Sequence, residues 1–174
     1  SAASDVYKRQ TILSTALLLF LDQIAKYLAV LHLKGQAAIP IIKDVFELQY
    51  LENQGAAFGI MQGKKTLFVI GTLIFLVIVV ILYHNIPLTK RFTPIRIVAV
   101  LIVAGAIGNM IDRVVHQYVI DFFYFKLINF PIFNVADIYV VVACILFILL
   151  MLFYYKEEEL GQIFPFMKSK KAEE

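Results

Sequence analysis

Charged residues are scarce in this chain of 174 residues. They make up 17% of it, whereas hydrophobic residues make up 61%, against roughly 25% and 45–50% in soluble domains. A chain this short cannot hide so much apolar surface from water, which argues against a soluble monomer. A single cysteine, Cys144, excludes an intramolecular disulfide framework and a multi-cysteine metal site. The formal net charge of +3 comes from basic residues near the ends of apolar segments, which indicates membrane orientation and not nucleic-acid binding.

The motifs of several enzyme classes are also missing. The sequence has no G-x-S-x-G, no H-E-x-x-H, no Cys–His pair and no P-loop, so serine, zinc and nucleotide chemistry lose support. Its three histidines, His32, His84 and His116, are scattered over different segments, which argues against a histidine metal site. We therefore expect no metal and no other cofactor.

Four apolar segments are long enough to span a bilayer, at about 11–33, 66–83, 93–111 and 134–155. The first follows basic residues and also fits a secretory signal, but apolar character resumes after Lys26, which favours an uncleaved span. The sequence thus predicts an all-α membrane protein. It comprises one domain over 1–174 with four transmembrane helices, and it ends in a polar tail at 156–174.

The positions of Lys and Arg predict how the spans are oriented. Nine basic residues fall on the side of the two termini and six on the other side, so both termini are expected in the cytoplasm. The outward loops are then 34–65 and 112–133. Partial alternation over 45–51, followed by a turn signal, predicts a small sheet outside the membrane. The aromatic stretch 122–130 has one charge and suits a segment in the lipid headgroup layer.

Ionisable residues at membrane depth are costly and are therefore candidates for function. Asp22 and Lys26 lie four residues apart on one helix face, where a structural ion pair would neutralise both. The adjacent Asp112 and Arg113 predict a second salt bridge, at the outward end of the third span.

Two further carboxylates, Asp121 and Asp137, are expected on the outward side. Asp137 follows Asn134 by three residues, which fits either a capping box or a reactive carboxylate held by a rigid helix end. The apolar neighbours of Asp121 disfavour its ionised form and should raise its pKa. If the two carboxylates meet, they share a proton and provide a general base and a general acid together.

Two other functions are alternatives to catalysis by the outward carboxylates. A proton-coupled or cation-conducting protein would use Asp22, Lys26 and Asp137 as relay groups, and a structural membrane subunit would leave the outward carboxylates idle. The second span carries no carboxylate, and no inverted halves are visible. The pattern therefore favours catalysis at the outward surface of the membrane that the protein spans.

Five sequence blocks occur in order over residues 22–137: DQIAK at 22–26, NQGAAFG at 53–59, GAIGNMIDR at 105–113, VIDF at 119–122 and FPIFNVAD at 130–137. Together they resemble the signature blocks of bacterial lipoprotein signal peptidase, also called signal peptidase II. The resemblance implies an aspartic endopeptidase of the cytoplasmic (inner) membrane, with an extracytoplasmic β-cradle and an active site on the outer side. Gln117 departs from the pattern, because the family commonly has glycine there.

The resemblance also implies the site residues and the substrate. Asp121 and Asp137 correspond to the catalytic pair, and the residues that bind substrate or brace the site are Asn53, Gly55, Asn109, Arg113, Asn134, Asp22 and Lys26. The implied substrate is a prolipoprotein whose cysteine carries a diacylglyceryl group, cleaved just before that cysteine. The implied enzyme is a monomer that contacts membrane lipids, needs no cofactor or metal and binds no nucleic acid.

Overall fold

The structure, a computed structural model, describes residues 2–55 and 64–164. Residues 56–59 of the second sequence block and 165–174 of the predicted polar tail lie outside these ranges. Four long helices dominate the described part: α1 (Ala2–Leu33), α2 (Lys65–His84), α3 (Thr93–Val115) and α4 (Val135–Leu149). All four are long and apolar enough to cross a membrane, which confirms the predicted fold class of a four-span membrane protein.

Local sequence signals fix several helix boundaries. Proline stands in the first turn of α3, where its missing N–H costs no helix hydrogen bond. The fourth span continues through a π-helical turn, Leu150–Tyr154, into a short helix α5 (Glu157–Ile163). Three glutamates open α5, where the positive end of the helix dipole stabilises them.

A three-stranded antiparallel sheet is formed by β1 (Ile39–Ile42), β2 (Phe46–Asn53) and β3 (Val119–Tyr124), in the order β1-β2-β3. It confirms the predicted sheet. Residues 122–124 of the second outward loop also belong to the sheet, as the end of β3, and the position of this loop in the headgroup layer stays a prediction. The first four residues of β3, Asp121 among them, are buried, so the strand shows no alternation of buried and exposed residues.

Helix α3 is the centre of the bundle and packs against α1, α2 and α4. Two glycines allow this close approach. A Cβ atom at Gly105 would lie 2.6 Å from the carbonyl oxygen of Ala136, and one at Gly108 would lie 2.5 Å from Oδ2 of Asp22. Gly105 therefore lets α3 approach the backbone of α4, and Gly108 leaves room for the carboxylate of Asp22 on α1.

Candidate active site

Asp121 and Asp137 are brought together by the asparagine that caps α4. Asn134 donates from Nδ2 to Oδ1 of Asp121 at 2.6 Å, and its backbone N–H donates to Oδ2 of Asp137 at 3.0 Å. Its own Oδ1 accepts the backbone N–H of Asp137 at 3.0 Å. The predicted capping box is confirmed. The capping box also fixes the orientation of the Asp137 carboxylate, so a capping role and a reactive role for Asp137 are compatible.

Each aspartate has a further amide partner on its other oxygen. Asn53, at the end of β2, donates to Oδ2 of Asp121 at 2.9 Å, and Asn109 of α3 donates to Oδ1 of Asp137 at 2.8 Å. All four carboxylate oxygens therefore accept a hydrogen bond. These contacts define the orientation of both groups before any substrate binds.

The environment of Asp121 favours a bound proton. Its side chain is buried, and burial together with the charge of Asp137 raises the pKa of Asp121 to about 7, because both disfavour the ionised form. Both aspartates line a cavity of about 740 Å³. The pair can thus hold one proton near neutral pH at the wall of this cavity.

A buried ion cluster lies directly behind this pair. Nζ of Lys26 lies 3.0 Å from Oδ2 of Asp22, as predicted, and 2.9 Å from Oδ2 of Asp112. Its third partner is Oδ1 of Asn109, at 2.9 Å. Each of the three charged residues is at most 1% exposed. Since Lys26 holds the oxygen of the Asn109 amide, the nitrogen of that amide is left to face Asp137.

The two carboxylates of the ion cluster also hold in place the strand that carries Asp121 and the helix that carries Asp137. Asp22 accepts the backbone N–H of Ala136 at 2.9 Å, one residue before Asp137. Asp112 accepts the backbone N–H of Ile120 at 3.1 Å, one residue before Asp121. The cluster therefore fixes the positions of both β3 and the start of α4.

The predicted salt bridge between Asp112 and Arg113 is wrong. Consecutive residues of a helix point in different directions, and Asp112 faces Lys26. Arg113 instead donates to the carbonyl oxygens of Asn109 and Gly55, at 3.3 and 3.1 Å, and stacks over the ring of Phe68. It thereby joins α3 to the buried end of the β2 segment, where the N–H of Gly55 donates to Oδ1 of Asn53 at 3.0 Å.

Gln117 occupies the turn between α3 and β3. Its φ of 73° lies in the left-handed region that glycine adopts without cost. The chain therefore keeps a glycine-like backbone at this position although the side chain is present.

Sequence reasoning missed two members of the site. Asp112 was assigned to the wrong partner, and Gln23, whose Nε2 lies within 3.1–3.3 Å of Asp22, Asp112 and the carbonyl oxygen of Gly108, was not singled out. The available signal was spacing, since Asp112 lies three residues after Asn109 on one helix face. Within 2–55 and 64–164, no group of three or more His, Cys, Asp or Glu residues is arranged to hold a metal ion.

Fold and site together define a class: a multi-pass membrane protein in which amide side chains hold a pair of aspartates at one end of a four-helix bundle. Comparison with known proteins then identifies the family. A family model described as signal peptidase (SPase) II matches residues 14–153, and the chain belongs to this peptidase family.

Curated relatives agree with that assignment. The chain is 44% identical to the lipoprotein signal peptidase of Clostridium novyi, over 74% of this chain and 87% of the relative. Identity to that of Halothermothrix orenii is 39%, over 76% and 88%. Identity to that of Streptococcus pyogenes is 38%, over 88% and 98%.

Two solved structures of bacterial membrane enzymes share the fold. One is matched with a TM-score of 0.72 at 31% identity, over 84% of this chain and 94% of the other. The second gives a TM-score of 0.71 at 31% identity, over 82% and 87%. The helical bundle with its small sheet is therefore an architecture known among membrane enzymes.

Proposed function

We propose that this protein is an aspartic endopeptidase that removes the signal peptide of prolipoproteins by cleaving before a diacylglyceryl-modified cysteine. Asp121 and Asp137 are its catalytic pair. The observation that carries the proposal is a pair of hydrogen bonds from Asn134, one from its side chain to Asp121 and one from its backbone N–H to Asp137. They hold both carboxylates at the wall of one cavity. The names of the relatives supply the substrate class.

The chemistry follows from one shared proton. The ionised aspartate takes a proton from a water molecule, whose oxygen attacks the scissile carbonyl carbon, while the protonated aspartate donates to the carbonyl oxygen. A tetrahedral diol forms. When its C–N bond breaks, the aspartate that took the proton from water gives it to the nitrogen, which leaves as the amine of the cysteine. One diol hydroxyl returns its proton to the other aspartate, so the diol carbon becomes the new carboxyl group and the pair again holds one proton. No covalent enzyme intermediate and no metal ion take part.

The neighbouring residues hold this pair in place. Asn53, Asn109 and Asn134 orient the carboxylates, and Lys26 with Asp22 braces them from behind. Arg113 lines the cavity and contributes positive charge beside the acidic pair. Its hold on the Gly55 carbonyl oxygen keeps the end of β2 against the site.

The same proposal fixes where the reaction takes place. The protein acts as a single-domain monomer in the bacterial cytoplasmic membrane, with both termini in the cytoplasm and the catalytic pair on the outer side. Val141 and Val142 line the cavity and are also exposed on the surface of α4, where lipid surrounds the helix. A membrane-bound substrate can therefore reach the site from within the bilayer.

The lipid on the substrate acts mainly by positioning the cysteine. An acyl chain that passes from bilayer to protein surface stays in an apolar environment, so it gains little of the roughly 0.8 kcal/mol per CH₂ that leaving water would provide. Held beside the helices, it places the scissile bond at the catalytic pair. We therefore expect the lipid to change the rate of cleavage.

The test compares a diacylglyceryl-modified precursor with the same unmodified precursor, both reconstituted in lipid vesicles with the purified protein. Mass spectrometry of the products identifies the cleaved bond. Rapid cleavage before the modified cysteine, and slow cleavage of the unmodified form, are expected. Equal rates would remove the role of the lipid. Absence of cleavage of both precursors would contradict the proposed function.

A further inference from the structure

One hydroxyl group in the cavity has no hydrogen-bond partner among the described residues. Thr72 lies on α2, half-buried, and lines the cavity together with residues of α3 and α4. Several of the other residues that line the cavity from α3 and α4 are aliphatic or small, among them Gly105, Ala106, Val140 and Val141. By contrast, the polar side chains at the catalytic end of the cavity are hydrogen-bonded to one another.

Thr72 lies well inside the membrane-spanning part of α2. It is seven residues beyond Lys65, where the helix begins, which corresponds to about 10 Å along the axis. On α3, Gly105 lies four residues from Asn109, about 6 Å on the side away from the catalytic pair. Thr72 and Gly105 therefore both line the part of the cavity that the membrane-spanning helices form.

A peptide in this part of the cavity has a specific chemical need. A helical segment must end before the scissile bond, because the attacked carbonyl has to be free of helix hydrogen bonds. The last turn of that helix leaves four carbonyl groups unpaired. In the hydrocarbon region no water satisfies them, and each unsatisfied group is costly.

We propose that the Thr72 hydroxyl donates a hydrogen bond to a backbone carbonyl in the last helical turn of the bound signal peptide. This inference rests on the proposed function and names a substrate-positioning residue for it. Because the contact is to the backbone, it accepts many signal sequences. Because it lies away from the reacting atoms, it contributes equally to the bound ground state and the transition state.

The test uses steady-state cleavage of the lipid-modified precursor by Thr72→Val, which keeps the shape of threonine and loses the hydroxyl. We expect kcat/KM to fall about three- to tenfold, the range of one neutral hydrogen bond, through a higher KM at unchanged kcat. Thr72→Ser restores the hydroxyl and should recover activity. The matched control is Thr66→Val, because Thr66 lies on the same helix with an exposed side chain outside the cavity lining.

A second arm identifies the accepting carbonyl. Synthetic precursors carry one backbone ester at successive positions before the cleavage site, which weakens the acceptor strength of one carbonyl at a time. The wild-type protein should be sensitive to the ester at one position, and Thr72→Val should be insensitive there. Thermal unfolding should be unchanged in Thr72→Val, since the hydroxyl has no bond within the described protein to lose.

Three results decide the matter. If the wild-type protein cleaves the precursor and Thr72→Val has the same kcat/KM, this inference is overturned and the proposed function stands. An equal loss in Thr66→Val also overturns it, because the effect would then belong to the helix and not to the cavity. No cleavage by the wild-type protein overturns the proposed function and the inference together.

Discussion

Replacing Lys26 with methionine should destabilise the protein more than any change of an exposed lysine. In the wild type, one ammonium group and the two carboxylates of Asp22 and Asp112 give the buried cluster a charge of −1. Methionine leaves the two carboxylates facing each other, with a charge of −2. Removing one partner of a buried ion pair costs about 3–5 kcal/mol. At about 2–4 °C per kcal/mol for a chain of this size, the unfolding midpoint falls by roughly 6–20 °C.

The assay is thermal unfolding of the purified protein in detergent micelles, followed by circular dichroism. Lys34→Met is the matched control, because Lys34 pairs with Glu52 on the surface, where the two side chains are 51% and 37% exposed. Its effect on the unfolding midpoint should be small, because solvent screens an exposed ion pair. The double variant Lys26→Met/Asp22→Asn returns the cluster to −1 and should recover part of the loss. An equal midpoint for Lys26→Met and Lys34→Met would refute the reasoning.

Three further predictions follow from close contacts and from protonation. Gly108→Ala places a methyl group 2.5 Å from Oδ2 of Asp22 and should cost about 1–3 kcal/mol of unfolding free energy, measured by the same unfolding assay. Gln117→Gly relieves a left-handed backbone and should raise the unfolding free energy by about 1 kcal/mol; a lower midpoint would contradict this. Because the pKa of Asp121 is raised from 3.8 to about 7, the folded state binds more protons than the unfolded state between these values. Stability should therefore fall as pH rises from about 4 to 7, and cleavage should fall above about 7 as the shared proton is lost. A flat pH profile of both, or an identical stability profile in Asp121→Asn, would contradict it.

The four helices were predictable because hydropathy over 18 or more residues depends on composition and not on long-range contacts. The sheet was predictable only in part. β1 has four residues, all exposed, so it shows no alternation, whereas the first four residues of β3 are all buried, so alternation is absent there too. Strand pairing across the 65 residues between β2 and β3 is a tertiary property that no local pattern encodes.

The candidate site shows the same division between local and long-range information. The Asn134–Asp137 cap and the Asp22–Lys26 pair were predictable because both rest on the geometry of one helix. The partner of Asp112 was not, since it depends on which face of α3 meets α1. Adjacency in sequence favoured Arg113, while the packed helices place Lys26 opposite. The contacts of Lys26 with Asn109 and Asp112 therefore form only when the helices pack together.

The most direct test of the central claim is cleavage of the lipid-modified precursor by Asp121→Asn and by Asp137→Asn. Asparagine keeps the shape of each side chain and removes the acid, so both variants should still insert and fold, as circular dichroism would show. The account predicts that each single change lowers turnover by at least about 10²–10⁴-fold, the contribution of general acid–base catalysis. Asp44→Asn, at an exposed turn position, should cleave at the wild-type rate. Near-normal turnover by either Asp121→Asn or Asp137→Asn would contradict the assignment of the catalytic pair.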